Sequence, residues 1–134
     1  MMSNLETTQN IYAAFGRGDI PFILSQLAEN VVWEENNRDL GIPWIVPGRG
    51  LEAVQRFFGV VGQEFEIKEF GVNGLCVGEN MVTAQVHMQA TIRSTGGRID
   101  DHEMHVWTFN ADGKVSAFRH VVDTYQHLQA AGKI

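Results

Sequence analysis

The sequence predicts an α+β fold in which a cone-shaped, curved antiparallel sheet encloses a pocket and three helices of the N-terminal half pack in its concavity. Two observations lead to this prediction. Apolar residues recur every three or four positions in segments before residue 62, and every second position over much of the remaining chain. Helices that precede a run of successive strands are typical of α+β domains. The length of 134 residues fits one domain over residues 1–134.

Three segments of the N-terminal half carry the helical pattern. The first covers Asn4–Phe15, where Ser3 and Glu6 have the spacing of a capping box. Asp19 can cap a second helix after a short glycine-containing joint. The apolar stripe of that helix consists of Ile20, Ile23, Leu24 and Leu27. The third helix covers Leu51–Val61, again with an apolar face.

From Val31 the spacing of the apolar residues changes to every second position, which predicts a strand. This places Trp33 and Glu35 on the same face of the first strand. A short helix from Thr124 closes the chain. Glycine-containing turns separate the last three strands from one another. The later predicted strands are Phe65–Val77, Met81–Arg93, Arg98–Phe109 and Lys114–Val122.

Residues 37–50 contain several glycines and prolines and are predicted to form a loop. Within the loop, Trp44, Ile45 and Val46 are unusually apolar for an exposed connection. We therefore expect this segment to cover the pocket, with Trp44 acting as a lid.

Composition narrows the class of protein. Ten basic and sixteen acidic residues give a net charge of −6, which disfavours binding to nucleic acid or to an anionic membrane. The single Cys76 excludes a disulfide within the chain and a zinc site built on several cysteines. The sequence lacks an apolar run long enough to cross a membrane and has no recognisable signal segment. We therefore expect a cytoplasmic protein.

A hairpin across residues 94–97 defines which side chains share the concave face of the sheet. In the predicted register Val86 lies opposite His105, Met88 opposite Glu103, and Ala84 opposite Trp107. The same alternation on the last strand places Phe118, His120 and Val122 together on one face.

This arrangement predicts an acid–base site inside an apolar pocket, made of Glu35, His105 and His120 with Tyr12 beside them. Ionisable groups in an apolar pocket acquire the shifted proton affinities that proton-transfer catalysis requires. The predicted substrate-binding residues are Trp33, Trp44, Met88, Glu103, Trp107, Phe118 and Val122.

Three simpler interpretations remain open. Buried histidines and aromatic residues at alternate strand positions are often ordinary core residues. The same pocket could bind an apolar ligand without chemistry, or an open face of the sheet could serve dimerisation. A metal site is a third alternative, but the run from His102 to His105 lacks the HExxH spacing, and on a strand these two histidines point to opposite faces. We predict no metal and no cofactor.

Four sequence patterns together resemble one superfamily. The patterns are Tyr12-Ala-Ala-Phe-Gly-Arg-Gly-Asp19, Leu27-Ala-Glu-Asn-Val-Val-Trp33, Pro47-Gly-Arg-Gly-Leu-Glu-Ala-Val54 followed by Phe57-Phe58, and Asp112-Gly-Lys-Val115 followed by Phe118-Arg119 and Asp123. In this order and spacing they resemble the SnoaL-like polyketide cyclase and ketosteroid isomerase superfamily, also called nuclear-transport-factor-two-like. The resemblance spans nearly the whole chain.

The resemblance implies a conical fold with the active site in its mouth, usually in a homodimer. It places Glu35 at the position of the catalytic aspartate of steroid isomerases, and Tyr12 close to their oxyanion-binding tyrosine. His105 replaces their protonated aspartate, and His120 lies where related cyclases and hydrolases carry an acid. In having two inward histidines, the chain is similar to the dehydratase branch of this superfamily. The implied mechanism has Glu35 abstracting a proton, His105 and Tyr12 binding the enolate oxygen, and His120 returning the proton to a small apolar carbonyl or polyketide-like substrate.

Overall fold

The computed structural model describes residues 2–134. Within this range six strands form one curved sheet in the order β2-β1-β6-β5-β4-β3, accompanied by four helices, which confirms the α+β prediction. The elements are α1 (Asn4–Gly16), α2 (Ile20–Ser25), β1 (Leu27–Trp33), β2 (Gly48–Arg49), α3 (Leu51–Glu64), β3 (Phe65–Val77), β4 (Met81–Ile92), β5 (Arg98–Phe109), β6 (Val115–Val121) and α4 (Thr124–Ala130). In residues 2–134 no helix combines the length and the apolar character needed to span a bilayer.

The helix ends follow the capping signals in the sequence. Ser3 and Glu6 form the expected capping box of α1. The Asp19 side chain accepts from the backbone N–H of Phe22 at the start of α2. Helix α2 ends earlier than its apolar stripe suggests, because Leu27 already belongs to β1 and pairs with Val115 of β6.

One strand pair departs from the expected antiparallel sheet. Strand β1 lies between β2 and β6, antiparallel to β2 and parallel to β6. The parallel register pairs Trp33 with Phe118, whose rings stack with their centroids 4.3 Å apart. The C-terminal end of β1 therefore runs directly alongside the part of β6 that carries His120.

The hairpin of β4 and β5 has the predicted faces but a register displaced by two residues. Val86 lies opposite Glu103 rather than His105, and Ala84 lies opposite His105 rather than Trp107. Met88 lies opposite Asp101 rather than Glu103. The turn is wider than expected, since its last paired residues are Thr91 and Arg98. A displacement by an even number of residues leaves every side chain on its predicted face, and Glu103, His105 and Trp107 are all buried.

Helix α4 packs so closely against the β4–β5 turn that Gly97 has no room for a side chain. A Cβ atom there would lie 2.5 Å from the carbonyl oxygen and 2.6 Å from the Cα of Ala130. We expect Gly97→Ala to lower the free energy of unfolding by about 1–3 kcal/mol, because α4 must move to relieve the overlap. Urea denaturation tests this. Gly59→Ala in α3, where a Cβ meets no atom within 4 Å, should leave stability unchanged or raise it by up to about 1 kcal/mol; equal effects of the two substitutions would contradict the close packing.

Candidate active site

The concave face of the sheet and helices α1 and α3 enclose a mainly aromatic cavity. Its volume of about 70 Å³ is several times the ~10–15 Å³ that one water molecule occupies on the same measure. The cavity wall includes all of the predicted substrate-binding residues: Trp33, Trp44, Met88, Glu103, Trp107, Phe118 and Val122. Tyr12, His105 and His120 also line it, and so does His127. The roles predicted for these side chains stay predictions, whereas their convergence on one cavity is a feature of the structure.

The carboxylate at the end of β1 is Glu34, and the expectation that Glu35 lies in the pocket is wrong. Strand alternation stops at Trp33, because Glu34 and Asn36 adopt left-handed backbone conformations with φ of 58° and 64°. This turn buries Glu34 completely. Glu35 is only partly buried and does not line the cavity. A left-handed non-glycine residue persists only where its surroundings hold it, and such residues cluster at functional sites.

Three hydrogen bonds hold the Glu34 carboxylate in place. Its Oε2 accepts from Nδ1 of His120 at 2.5 Å, and its Oε1 accepts from the backbone N–H of His120 at 2.9 Å. The side-chain amide of Asn37 donates to Oε1 at 3.0 Å and also donates to the backbone carbonyl of His120. Within residues 2–134, no group hydrogen-bonds to the other ring nitrogen of His120, Nε2. Glu34 therefore holds the imidazole by Nδ1 and leaves Nε2 available at the cavity.

The Glu34 carboxylate determines the charge of His120. Burial alone would lower the pKa of this imidazole, but the negative charge of Glu34 and its hydrogen bond to Nδ1, together with the charges of Glu103 and Asp101, outweigh burial, so the pKa of His120 is raised above 6.5. His120 is therefore protonated over more of the neutral pH range than a free histidine.

A second group of hydrogen bonds connects Tyr12, Trp107, His105 and Glu103. The indole of Trp107 can only donate, and it donates to the Tyr12 hydroxyl at 2.9 Å. The hydroxyl hydrogen is then available for Nδ1 of His105 at 2.7 Å. With Nδ1 accepting, His105 carries its proton on Nε2 and donates it to Oε1 of Glu103 at 2.7 Å.

These bonds describe a neutral His105 and a neutral Tyr12. Burial lowers the pKa of His105 and raises the pKa of the Tyr12 phenol well above its usual range. Both ring nitrogens of His105 are occupied by side chains of the protein. The hydroxyl hydrogen of Tyr12 is likewise used by His105. The predicted hydrogen bonds from His105 and Tyr12 to a substrate oxygen therefore have no free donor in this structure, and His105 instead positions Glu103 and Tyr12.

A third histidine, which the sequence reasoning missed, ties the loop to the cavity. The indole of the buried Trp44 donates to Nδ1 of His127 at 2.9 Å. His127 in turn donates from Nε2 to Oδ2 of Asp101 at 2.8 Å. This bond and the backbone N–H of Asp123 overcome the effect of burial and lower the pKa of Asp101. The apolar character of Trp44 indicated a covering loop, but nothing in the sequence pairs it with a histidine 83 positions away.

Three groups of side chains have the composition of a metal site, with potential ligand atoms within 4.8 Å of one another. Two are buried except for the partly buried His120, namely Glu103 with His105 and His120, and Glu103 with Asp101 and His127. In each buried group the Nε2 of one histidine carries the proton that it donates to a carboxylate, so it has no lone pair for a metal in this bonding pattern. The third group, His87, Asp100 and His102, lies on the outer face of the sheet.

Solved structures with the same fold cover nearly the whole chain. An NTF2-like protein from Burkholderia thailandensis is 26% identical over 97% of this chain and 98% of its own, with a TM-score of 0.83. A proposed isomerase from Rhodopseudomonas palustris has a TM-score of 0.75 at 16% identity, covering 100% of this chain and 99% of its own. A proposed SnoaL-like polyketide cyclase from Mesorhizobium loti has a TM-score of 0.73 at 18% identity, covering 90% and 99%.

Comparisons at the level of sequence identify the family to which the chain belongs. The comparison with curated proteins finds no significant match. The family model of the SnoaL-like domain matches residues 8–118, which include most of α1, all of α3 and β5, and the first part of β6 up to Phe118. The chain belongs to the SnoaL-like domain family.

Proposed function

We propose that the chain is an acid–base enzyme that moves a proton on a small, largely apolar carbonyl or polyketide-like compound without a cofactor, in the manner of an isomerase, cyclase or dehydratase. The observation that carries the proposal is the Glu34–His120 pair, whose imidazole borders an aromatic cavity with one nitrogen unpartnered in residues 2–134. The fold alone does not select a reaction, since one fold hosts many functions.

His120 is the group that exchanges the proton. Glu34 accepts from Nδ1, so proton transfer to and from the substrate takes place at Nε2, on the opposite side of the ring. General acid–base catalysis is most effective when the pKa of the catalytic group lies near the working pH. The Glu34 carboxylate supports this by opposing the effect of burial on the pKa of His120.

The wall of the cavity supports an apolar substrate. Trp33, Trp107 and Phe118 pack against one another beside the His105–His120 pair, whose ring centroids are 4.7 Å apart. Such a wall excludes water, and electrostatic interactions with a developing charge are stronger where water is excluded. Aromatic faces also orient a flat conjugated substrate by stacking.

The Tyr12–His105–Glu103 chain has a positioning role in this proposal. Both ring nitrogens of His105 and the hydroxyl hydrogen of Tyr12 are used in bonds within the chain, so these side chains hold the floor of the cavity rigid rather than exchange protons with solvent. Tyr12 keeps one oxygen lone pair beyond those bonds, since it accepts only from Trp107 and donates to His105.

Deuterium exchange tests the proposal before the natural substrate is identified. A panel of ketones, enones and β-hydroxy ketones is incubated with the protein in D₂O, and deuterium uptake beside the carbonyl is followed by NMR. We expect the wild type to accelerate uptake for at least one member of the panel, and His120→Asn to abolish the acceleration. Saturable binding with neither exchange nor product across the panel favours the alternative, a non-catalytic module that binds an apolar ligand.

The homodimer and the cytoplasmic location expected from the sequence are parts of the same proposal. A homodimer agrees with the partly exposed apolar side chains Met104 and Val121 on neighbouring strands of the outer sheet face. Sedimentation of the purified protein at micromolar concentration measures the oligomeric state directly.

A further inference from the structure

We infer that the outer face of the sheet carries a binding site for one late first-row divalent cation, such as Zn²⁺, with His87, His102 and Asp100 as its ligands. The site goes beyond the proposed function and is independent of it, because the cavity lies on the other face of the sheet. It also departs from the expectation of no metal, which rested on the spacing of His102 and His105.

The pairing of β4 with β5 brings the three ligands together. His87 lies directly opposite His102, and Asp100 precedes His102 by two positions, so it shares the same face of β5. The two imidazole rings stack with their centroids 4.3 Å apart. Potential ligand atoms of all three side chains lie within 4.8 Å of one another. One ion can therefore contact all three after limited movements of the side chains.

His87 lies between two carboxylates. Its Nε2 donates to Oδ1 of Asp100 at 2.7 Å, and its Nδ1 lies 3.5 Å from Oε1 of Glu69 on β3. Within residues 2–134, no lysine or arginine forms an ion pair with either carboxylate. A divalent cation beside His87 is therefore attracted by two negative charges that no basic side chain already neutralises.

The tautomer of His87 can adapt to a metal, in contrast to those of the buried histidines. The ion displaces the proton of Nε2 to solvent, and the neutral ring then carries its hydrogen on Nδ1, where Glu69 can accept it. Histidines that bind a metal usually donate their second ring N–H to a carboxylate in this way. His105 and His127 lack this freedom, because the Nδ1 of each already accepts a hydrogen bond within the protein. Glu69 is therefore a positioning residue of the site.

The other two ligands are exposed and can close around an ion. The ring of His102 stacks on His87 and forms no hydrogen bond within residues 2–134, so it can turn a nitrogen toward the ion. The Asp100 side chain is 64% exposed. Zn²⁺ binds nitrogen and oxygen at about 2.0–2.1 Å, which separates the ligand atoms of a tetrahedral site by about 3.3 Å. The 2.7 Å separation between Nε2 and Oδ1 therefore has to widen by only about 0.6 Å.

The types of ligand atom select the class of cation. Imidazole nitrogen suits Zn²⁺, Cu²⁺ and Ni²⁺. Mg²⁺ and Ca²⁺ prefer sites made of oxygen atoms. Two imidazoles and one carboxylate therefore favour a late first-row ion, and three protein ligands leave at least one coordination position for water.

Metal titration of the untagged protein tests the inference. After treatment with a chelator, Zn²⁺ binding is measured by calorimetry and located by the shifts of the imidazole signals in NMR spectra. We expect one Zn²⁺ to bind per chain at micromolar concentration, with the largest shifts at His87 and His102. The absence of saturable binding up to millimolar Zn²⁺, or largest shifts at His105 and His120, overturns the inference.

Variants of exposed residues separate ligands from the positioning residue. Glu69→Ala should weaken Zn²⁺ binding about 10-fold, at the lower end of the usual effect of losing such a partner. His102→Asn and Asp100→Asn each remove a ligand and should weaken binding further. Asp112→Asn, in the exposed turn before β6, is the matched control for Asp100→Asn and should bind as the wild type does.

His120→Asn distinguishes the outer site from the cavity. Because His120 lines the cavity on the opposite face, the variant should bind Zn²⁺ with unchanged affinity. Binding that survives both His102→Asn and Asp100→Asn at full strength, or that is lost in His120→Asn, contradicts the assignment of the ion to the outer face.

Discussion

Glu34→Ala is expected to lower the free energy of unfolding by about 3–5 kcal/mol, because it removes one partner of a buried ion pair. The substitution leaves the imidazole and backbone N–H of His120 without their acceptor, and it removes an acceptor of Asn37. Glu35→Ala, at the adjacent position, should change stability by less than about 1 kcal/mol, since the bond at Glu35 that joins it to β6 runs from its backbone N–H to the carbonyl of Phe118.

Urea denaturation of the two variants measures this difference, with the slope of unfolding free energy against urea checked to be unchanged. The two substitutions remove the same chemical group from neighbouring residues, so any difference in stability between them comes from where each side chain lies in the structure. A loss at Glu35 equal to or larger than the loss at Glu34 would mean that the turn after Trp33 does not have the conformation described here.

His120→Asn is expected to lower turnover by about 10²–10⁴-fold on any substrate that the protein converts, which is the usual contribution of a general acid or base. The asparagine amide can still donate to Glu34 in place of Nδ1, but it has no nitrogen to replace Nε2 in proton transfer. The variant therefore separates the structural hydrogen bond from the chemical role.

The control for His120→Asn is His102→Asn, an exposed residue on the outer face of β5, which should keep full activity. The measured quantity is kcat, with ligand affinity determined separately. Full turnover in a folded His120→Asn variant would remove His120 from the mechanism.

Alternation along strands predicted most of the site. The inward positions of His105, Glu103 and Trp107 follow from the period of two, and so does that of His120 beside Phe118. The hairpin register was wrong by two residues, yet the faces were right, because only an odd displacement exchanges them. An error of two residues in the position of a turn therefore does not change which side chains are predicted to face inward.

Features that depend on a local change of backbone or on distant contacts could not be predicted. The left-handed conformation of Glu34 ends the alternation, and the Asn36-Asn37 dipeptide, which favours turns, is the only local signal for it. Because the predicted strand continued through Glu35, Glu35 rather than Glu34 was expected to be the buried carboxylate of the site. The parallel pairing of β1 with β6 and the Trp44–His127 bond join segments more than 80 positions apart, for which a single sequence holds no signal.

Stability should depend on pH through His120. Since the folded protein raises the pKa of His120 above 6.5, it holds this proton more tightly than the unfolded chain does. The resulting stabilisation is fully present below about pH 6.5 and is lost as the pH rises through the raised pKa of the folded state. Urea denaturation across this range should show the loss of stability in the wild type and a smaller loss in Glu34→Gln, in which the largest contribution to the raised pKa of His120 is absent.

NMR titration of the His120 imidazole is the most direct test of the claim that Glu34 sets the protonation of His120. The wild type and Glu35→Gln should titrate with midpoints above 6.5. Glu34→Gln should titrate at a lower pH than the wild type, because the largest contributions that oppose burial, the charge and the hydrogen bond of Glu34, are removed and only the smaller contributions of Glu103 and Asp101 remain. A wild-type midpoint at or below 6.5, or a decrease caused by Glu35→Gln rather than by Glu34→Gln, would contradict the account.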